Sequence, residues 1–158
     1  MLTNEARGTS GRSQPQTGTL ATTMPQLRTD SFYRELAERL WLVLPAQVTI
    51  RHDGRLPSLT LAGLSGNSGR LFPTLFIRGP FRFRLRLSAE LLLRDVQRFV
   101  VLELHRPWPE AQAYQSTAAD DPPKPRAALT NDHLQLWYEV DGRAVLELVP
   151  IPLDRLRR

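Results

Sequence analysis

The sequence predicts an α+β domain in which an antiparallel sheet of about six strands carries two helices packed on one face. Two segments repeat apolar residues at helical spacing, and several others alternate apolar and polar residues as strands do. Two Asp-Gly pairs mark tight turns between such strands. The predicted order is helix, four strands, helix, two strands.

The length of 158 residues fits one domain, and its first segment differs in composition from the rest. Residues 1–28 are rich in Thr, Ser, Gly and Gln and hold few large apolar side chains. Burial cannot offset the ordering entropy of such a segment, which predicts a disordered N-terminal tail. The single α+β domain is therefore expected over residues 29–158.

The first helix is predicted over residues 31–44. Phe32, Leu36 and Leu40 recur at helical spacing and form one apolar stripe. Pro45 directly follows and cannot continue a helix.

Two hairpins are predicted after this helix. The first joins strands at 46–52 and 55–62 through a two-residue Asp53-Gly54 turn, which would pair Val48 with Leu59. The second joins strands at 70–78 and 81–87 through Gly79-Pro80.

The last of these four strands, Phe-Arg-Phe-Arg-Leu-Arg-Leu, alternates strictly between apolar and cationic residues. Because successive side chains of a strand point to opposite faces, Arg82, Arg84 and Arg86 are expected on one face, each about 6.6 Å from the next. Three neighbouring guanidinium groups repel one another unless an anion lies along them. We call this predicted feature the arginine stripe.

A second helix is predicted from a Ser88 cap to Pro107, and an extended proline-rich loop is expected over residues 107–132. The end of this helix also has a strand-like composition. Within the loop, the run 122–126 is read as a linker, with a polyproline ligand as the alternative.

The final hairpin is predicted to pair residues 133–140 with 143–151. Pairing Leu136 with Leu146 requires a bulged turn in which Gly142 is left-handed. Trp137 falls on the face opposite the apolar one, where it is either an exposed interface residue or is covered by the first helix.

Positive charge is concentrated in the middle of the chain. The net charge is +5, and Lys124 is the only lysine among the cations. Residues 46–106 hold ten arginines against four acids, whereas residues 107–158 hold six cations against eight acids. Such a concentration favours a basic patch, although a solvated sheet face with local ion pairs has the same composition.

The expected function is non-catalytic binding of an anionic partner, with nucleic acid backbone as the first expectation. The candidate binding residues are Arg82, Arg84 and Arg86, supported by Arg70 and Arg78. The alternative is a protein-interaction or self-assembly module, including a homo-oligomer, in which the same arginine and aliphatic face meets an acidic protein surface.

The sequence carries no catalytic signature that would indicate an enzyme. Residues 63–69 are glycine-rich but lack the Gly-Lys-Ser/Thr ending of a nucleotide loop, and no Gly-x-Ser-x-Gly motif occurs. Asp53 with Glu103 is the nearest approach to a nuclease carboxylate pair, and the three histidines lack ligand spacing. Neither a cofactor nor a metal site is expected.

The cellular compartment is predicted from three features that the sequence lacks. It has no cysteine, no signal-peptide pattern and no apolar run long enough to span a bilayer. These features predict a cytoplasmic protein with no membrane partner.

Overall fold

The computed structural model describes residues 29–54, 58–71, 79–110 and 122–156, which form two helices, seven strands and a short 3-10 helix. The helices are α1 (Thr29–Trp41) and α2 (Phe81–Leu104), and the 3-10 helix is Leu153–Arg155. The strands are β1 (Val48–His52), β2 (Leu59–Gly63), β3 (Ser68–Leu71), β4 (Lys124–Leu129), β5 (His133–Val140), β6 (Arg143–Glu147) and β7 (Ile151–Pro152). The tail predicted at 1–28 lies outside the described residues.

The strands form two antiparallel sheets instead of the one sheet predicted. The first has the order β1-β2-β3, and the second has the order β4-β5-β6 with β7 also paired to β5. The α+β class, the antiparallel pairing and the two helices are confirmed, whereas six strands in one sheet with both helices on one face is wrong. The two sheets are separated in sequence by α2, which contacts both of them.

Helix α1 forms where its apolar stripe predicted it. Phe32, Leu36 and Leu40 are buried, and the helix packs against β1. The helix begins two residues earlier than expected and ends at Trp41, before the chain reaches Pro45.

A buried ion pair joins α1 to the C-terminal segment. Arg39 and Glu35 lie one turn apart with 2.8 Å between Nη1 and Oε2, and both side chains are almost fully buried. Arg39 also donates to the carbonyl of Pro150, and Arg155 approaches Glu35 at 3.3 Å. Buried charges require such partners, so these contacts fix the C-terminal segment against α1.

The first hairpin has a different register from the predicted one. Ile50 pairs with Leu61 and Val48 pairs with Gly63, so the connection is longer than the two-residue Asp53-Gly54 turn. Both registers place the same apolar residues on one face, since a slip by an even number of residues preserves the faces of a strand. The hydrophobic pattern alone therefore could not distinguish them.

The predicted strand 81–87 is wrong, because these residues are the first two turns of α2. At helical spacing, Phe81 and Leu85 lie on the same face as the buried Ala89, Leu92 and Val96 further along the helix. This apolar stripe extends over the whole helix. Its burial stabilises the helical conformation more than the alternation of seven residues favours a strand.

The predicted Gly79-Pro80 hairpin turn is wrong for the same reason. Pro80 precedes the first helical residue, and its carbonyl accepts the first intrahelical bond, from the Arg84 N–H. Ser88, predicted as the cap, lies buried within the helix. The partner strand was predicted over 70–78, of which residues 72–78 lie outside the described part of the chain.

The proline-rich loop predicted over 107–132 contains strand β4, which pairs with β5 along its length. Pro125 is accommodated because β4 is an edge strand, and the N–H that proline lacks would point away from β5. The linker expected at 122–126 is therefore partly a strand. Residues 111–121 of the loop lie outside the described residues.

Helix α2 lies along this open edge of β4 and supplies hydrogen bonds that a neighbouring strand would otherwise supply. The Glu90 carboxylate accepts from the Ala127 N–H, and the Gln97 side-chain amide donates to the Pro123 carbonyl at 2.8 Å. Helix and strand therefore run antiparallel, and the exposed backbone of an edge strand is satisfied by side chains.

The β5–β6 turn contains two left-handed residues, Asp141 (φ 49°) and Gly142 (φ 74°). The left-handed Gly142 is confirmed, and two consecutive positive φ values are typical of a tight two-residue hairpin turn. The predicted pairing of Leu136 with Leu146 is wrong, because Leu146 pairs with Tyr138. The register shifts between Tyr138 and Glu139, where Val145 of β6 is the extra residue, so the bulge lies within the paired strands and not in the turn.

Candidate functional site

The predicted arginine stripe does not form a ladder on a sheet. Arg82, Arg84 and Arg86 all lie at the start of α2, where each residue turns by about 100°. Arg82 and Arg86 are one turn apart, whereas Arg84 points away from both. Arg70 is exposed on β3, and Arg78 lies outside the described residues.

Arg82 is used within the fold. Its Nη2 donates to the carbonyl oxygens of Leu129, at 3.3 Å, and Thr130, at 2.8 Å. These carbonyls lie at the end of β4. The Arg82 guanidinium therefore bonds the same edge of the strand segment that Glu90 and Gln97 bond at other positions. Its donors toward β4 are therefore not available to a partner.

Arg84 and Arg86 have different surroundings. The Arg84 side chain is half-buried, and its buried Nε has no hydrogen-bond partner among the described residues. Arg86 is exposed, and its guanidinium carbon lies 5.9 Å from the centre of the Phe83 ring, which is itself 43% exposed. Neither arginine forms an ion pair with a carboxylate in the described part of the chain.

A second set of cations on α2 was missed by the sequence reasoning. Arg94 and Arg98 are exposed and lie one turn apart, on the same side of the helix as Leu102, which is 68% exposed. Arg98 has one weak ion pair, at 3.8 Å from Asp95, and Arg94 has none among the described residues.

These side chains form one helical row, which we call the outer stripe of α2. Its members follow one another at spacings of three or four residues: Phe83, Leu87, Leu91, Arg94, Arg98 and Leu102. The row combines two exposed apolar side chains, Phe83 and Leu102, and two half-buried leucines with two cations. The spacing from Leu91 to Leu102 lay within the predicted second helix, whereas the strand assignment of residues 81–87 concealed that Phe83 and Leu87 continue the row.

The C-terminal part of the outer stripe borders a surface groove of about 670 Å³. The opposite wall is the segment that enters β4, with Pro122 and Lys124 exposed at its rim. Gln97 of the helix wall joins the two walls, because its side-chain amide donates to the Pro123 carbonyl on the other. The same amide also donates to the Trp108 carbonyl.

The glycine-rich loop 63–69 is occupied by a carboxylate of the protein itself. Glu103 of α2 accepts hydrogen bonds from the Ser65 N–H and hydroxyl and from the Asn67 side chain. These bonds, the Ser65 hydroxyl first among them, hold the pKa of Glu103 below its ordinary value. A Cβ at Gly63 would overlap this carboxylate, so glycine is required for the approach.

The two carboxylates considered for a nuclease site are not brought together. Glu103 contacts the end of the first hairpin at Gly63, which pairs with Val48, whereas Asp53 follows the other end of β1. Four residues of strand, about 13 Å, separate those ends. No group of three or more metal-ligating side chains converges within the described residues.

On the second sheet, the half-buried Trp137 donates from Nε1 to Glu139, which also pairs with Arg126 at 2.7 Å. The bonds from Arg126 and Trp137 lower the pKa of Glu139. Trp137 is therefore neither fully exposed nor fully covered.

Comparisons with protein-family models, with curated proteins and with solved structures found no match to this chain. In the described part of the chain, neither helix combines the length and the apolar content needed to cross a bilayer.

Proposed function

We propose that this protein is a non-catalytic binding module for an anionic partner, which it contacts through the basic surface of α2. The observation that carries the proposal is that Arg86 and Arg94 are exposed without a carboxylate partner among the described residues. A guanidinium that forms no ion pair with a carboxylate of the protein can bind a carboxylate or a phosphate of a partner through two hydrogen bonds.

The composition of the outer stripe favours an acidic protein surface as the partner. Leu102 is 68% exposed and Phe83 is 43% exposed, and both lie in one row with Arg94 and Arg98. Arginine beside exposed apolar side chains is typical of protein interfaces. A phosphate backbone offers no apolar group to contact Leu102.

Nucleic acid is the second candidate, and one contact favours it. The Phe83 ring is exposed beside the Arg86 guanidinium, an arrangement on which a base can stack while the cation meets a phosphate. The regular arginine ladder that first favoured nucleic acid is not part of this arrangement, since the arginines lie on a helix.

Fluorescence anisotropy with labelled polyanions tests the proposal. The probes are poly-L-glutamate and a random-sequence single-stranded DNA of about 20 nucleotides, each titrated from about 50 to 300 mM salt. We expect the Arg86→Ala/Arg94→Ala variant to bind about tenfold more weakly at low salt, with a reduced salt slope.

The matched control is Arg34→Ala/Arg51→Ala, which removes the same charge from exposed positions on α1 and β1. The control should keep most of the affinity. Failure of every polyanion to bind at about 50 mM salt, or an equal loss in both variants, would show that α2 has no anion-binding surface.

A further inference from the structure

The groove between the C-terminal half of α2 and the start of β4 has mainly apolar walls. Val101 and Leu102 line the helix side, and Pro122, Pro123 and Pro125 line the opposite side. Three prolines contribute no backbone N–H donors, so this wall offers apolar contact and few hydrogen bonds to a bound molecule. Leu102 is among the most exposed large apolar residues of the described chain.

Contacts within the fold fix the positions of the two walls of the groove. The buried Gln97 donates to Pro123 on one wall from its position on the other, with a distance of 2.8 Å. Pairing of β4 with β5 fixes the direction in which this segment leaves the groove. A preformed groove lowers the ordering cost that a bound segment would otherwise incur.

Three cations surround the apolar floor. Arg94 and Arg98 lie on the helix side, and Lys124 lies on the strand side. Asp95 lies 3.8 Å from the largely exposed Arg98, and Glu139 is the cross-strand partner of Lys124, whose charge helps to lower the pKa of Glu139. Among the described residues, neither of these carboxylates lines the groove. The rim of the groove therefore has a net positive charge and is complementary to carboxylates.

From this charge complementarity we infer that the groove receives an acidic segment of a partner protein that carries apolar side chains. The apolar side chains occupy the floor around Leu102, and the carboxylates meet Arg94, Arg98 and Lys124. This inference rests on the proposed function and specifies its partner. None of the described residues that line the groove is aromatic, so these walls offer no stacking surface of the kind that single-stranded nucleic acid uses.

Peptide arrays test the inference. The probes are peptides of about 12 residues in which Asp or Glu alternate with Leu or Phe, beside matched sets whose apolar residues are serine or whose acids are lysine. The array peptides that bind the protein are then labelled, and their affinity for the full chain is measured by fluorescence anisotropy. We expect acidic-apolar peptides to bind at least about tenfold more tightly than the acidic-serine set.

Two exposed leucines provide matched variants. Leu102→Ala should weaken the acidic-apolar peptides about tenfold, whereas Leu42→Ala, at a residue that is 70% exposed near the end of α1, should have no effect. Arg98→Ala should weaken both acidic sets. Thermal unfolding of each variant checks that the fold is intact.

Three outcomes would overturn the inference while leaving the proposed function in place. One is equal binding of the acidic-serine and acidic-apolar sets. Another is a single-stranded DNA affinity that exceeds that of every peptide. A third is self-association, detected by sedimentation, that Leu102→Ala abolishes, which would identify the occupant as a second copy. Loss of all polyanion binding would instead remove the proposed function itself.

Discussion

The Glu90 carboxylate accepts a hydrogen bond from the Ala127 N–H, with 3.2 Å between the oxygen and the nitrogen. This contact links a helix side chain to the outer edge of a strand. An edge strand exposes unpaired donors and acceptors that promote pairing with another chain. Helix α2 covers the β4 edge with side chains, so the fold protects it without another strand.

Replacing Glu90 with alanine should expose this role. We expect a loss of about 1–2 kcal/mol in the free energy of unfolding, because the Ala127 N–H loses its acceptor. Glu90→Gln keeps a carbonyl acceptor and should recover most of that loss. The measurement is urea unfolding followed by circular dichroism.

The control for this prediction is Glu38→Ala, at an exposed carboxylate on α1. Its effect should stay within about 0.5 kcal/mol. If the two alanine variants lost the same free energy, the contact with Ala127 would not stabilise the fold.

Two buried tyrosines should respond to the same substitution with opposite signs. The Tyr138 hydroxyl donates to the Leu93 carbonyl at 2.7 Å, whereas the buried Tyr33 hydroxyl has no hydrogen-bond partner among the described residues. Burial raises the pKa of both phenols. An unpaired buried hydroxyl costs free energy, and a bonded one contributes about 1 kcal/mol.

We therefore expect Tyr33→Phe to raise the free energy of unfolding by about 1 kcal/mol, and Tyr138→Phe to lower it by a similar amount. Chemical denaturation of both variants measures the difference. Destabilisation by Tyr33→Phe would show that its hydroxyl has a partner in solution.

The lowered pKa of Glu103 predicts a pH effect centred on one loop. Because the folded-state pKa lies below the ordinary value of about 4.3, the stabilisation is fully present above that pH and is lost as pH falls through the lowered pKa. Ser65→Ala removes the largest cause and should raise the pKa of Glu103 toward its ordinary value. NMR titration of the Glu103 carboxyl carbon measures it.

Ser68→Ala, at an exposed serine of the same glycine-rich loop, is the control and should leave the pKa of Glu103 unchanged. A pKa of Glu103 that stays low in Ser65→Ala would mean that other groups, such as Asn67, hold the carboxylate in place.

Features whose physical cause is local in the sequence were predicted correctly. The stripe of Phe32, Leu36 and Leu40 spans α1, and a helix buries it whatever it packs against. The left-handed Gly142 follows from local turn geometry. In both cases the physical cause lies within a few consecutive residues.

The candidate site was predicted only in part. An unpaired basic surface was expected and Arg86 belongs to it, but Arg82 bonds β4 carbonyls that are 47 and 48 residues away. Arg94 and Arg98 border a groove whose second wall belongs to another element. Their role in the groove depends on which strand α2 packs against, which the spacing of residues along α2 does not encode.

By itself, the sequence determined the α+β class, helix α1 and the presence of the first and last antiparallel hairpins, since each follows from local periodicity. The registers of these two hairpins were not predicted correctly. Tertiary structure decided that residues 81–87 are helical, because Leu85 and the half-buried Phe81 share a face with the buried Leu92 and Val96. It also decided that proline-rich residues become β4, because β5 and α2 satisfy its two edges. Burial against distant elements selects among local structures whose intrinsic free energies are similar.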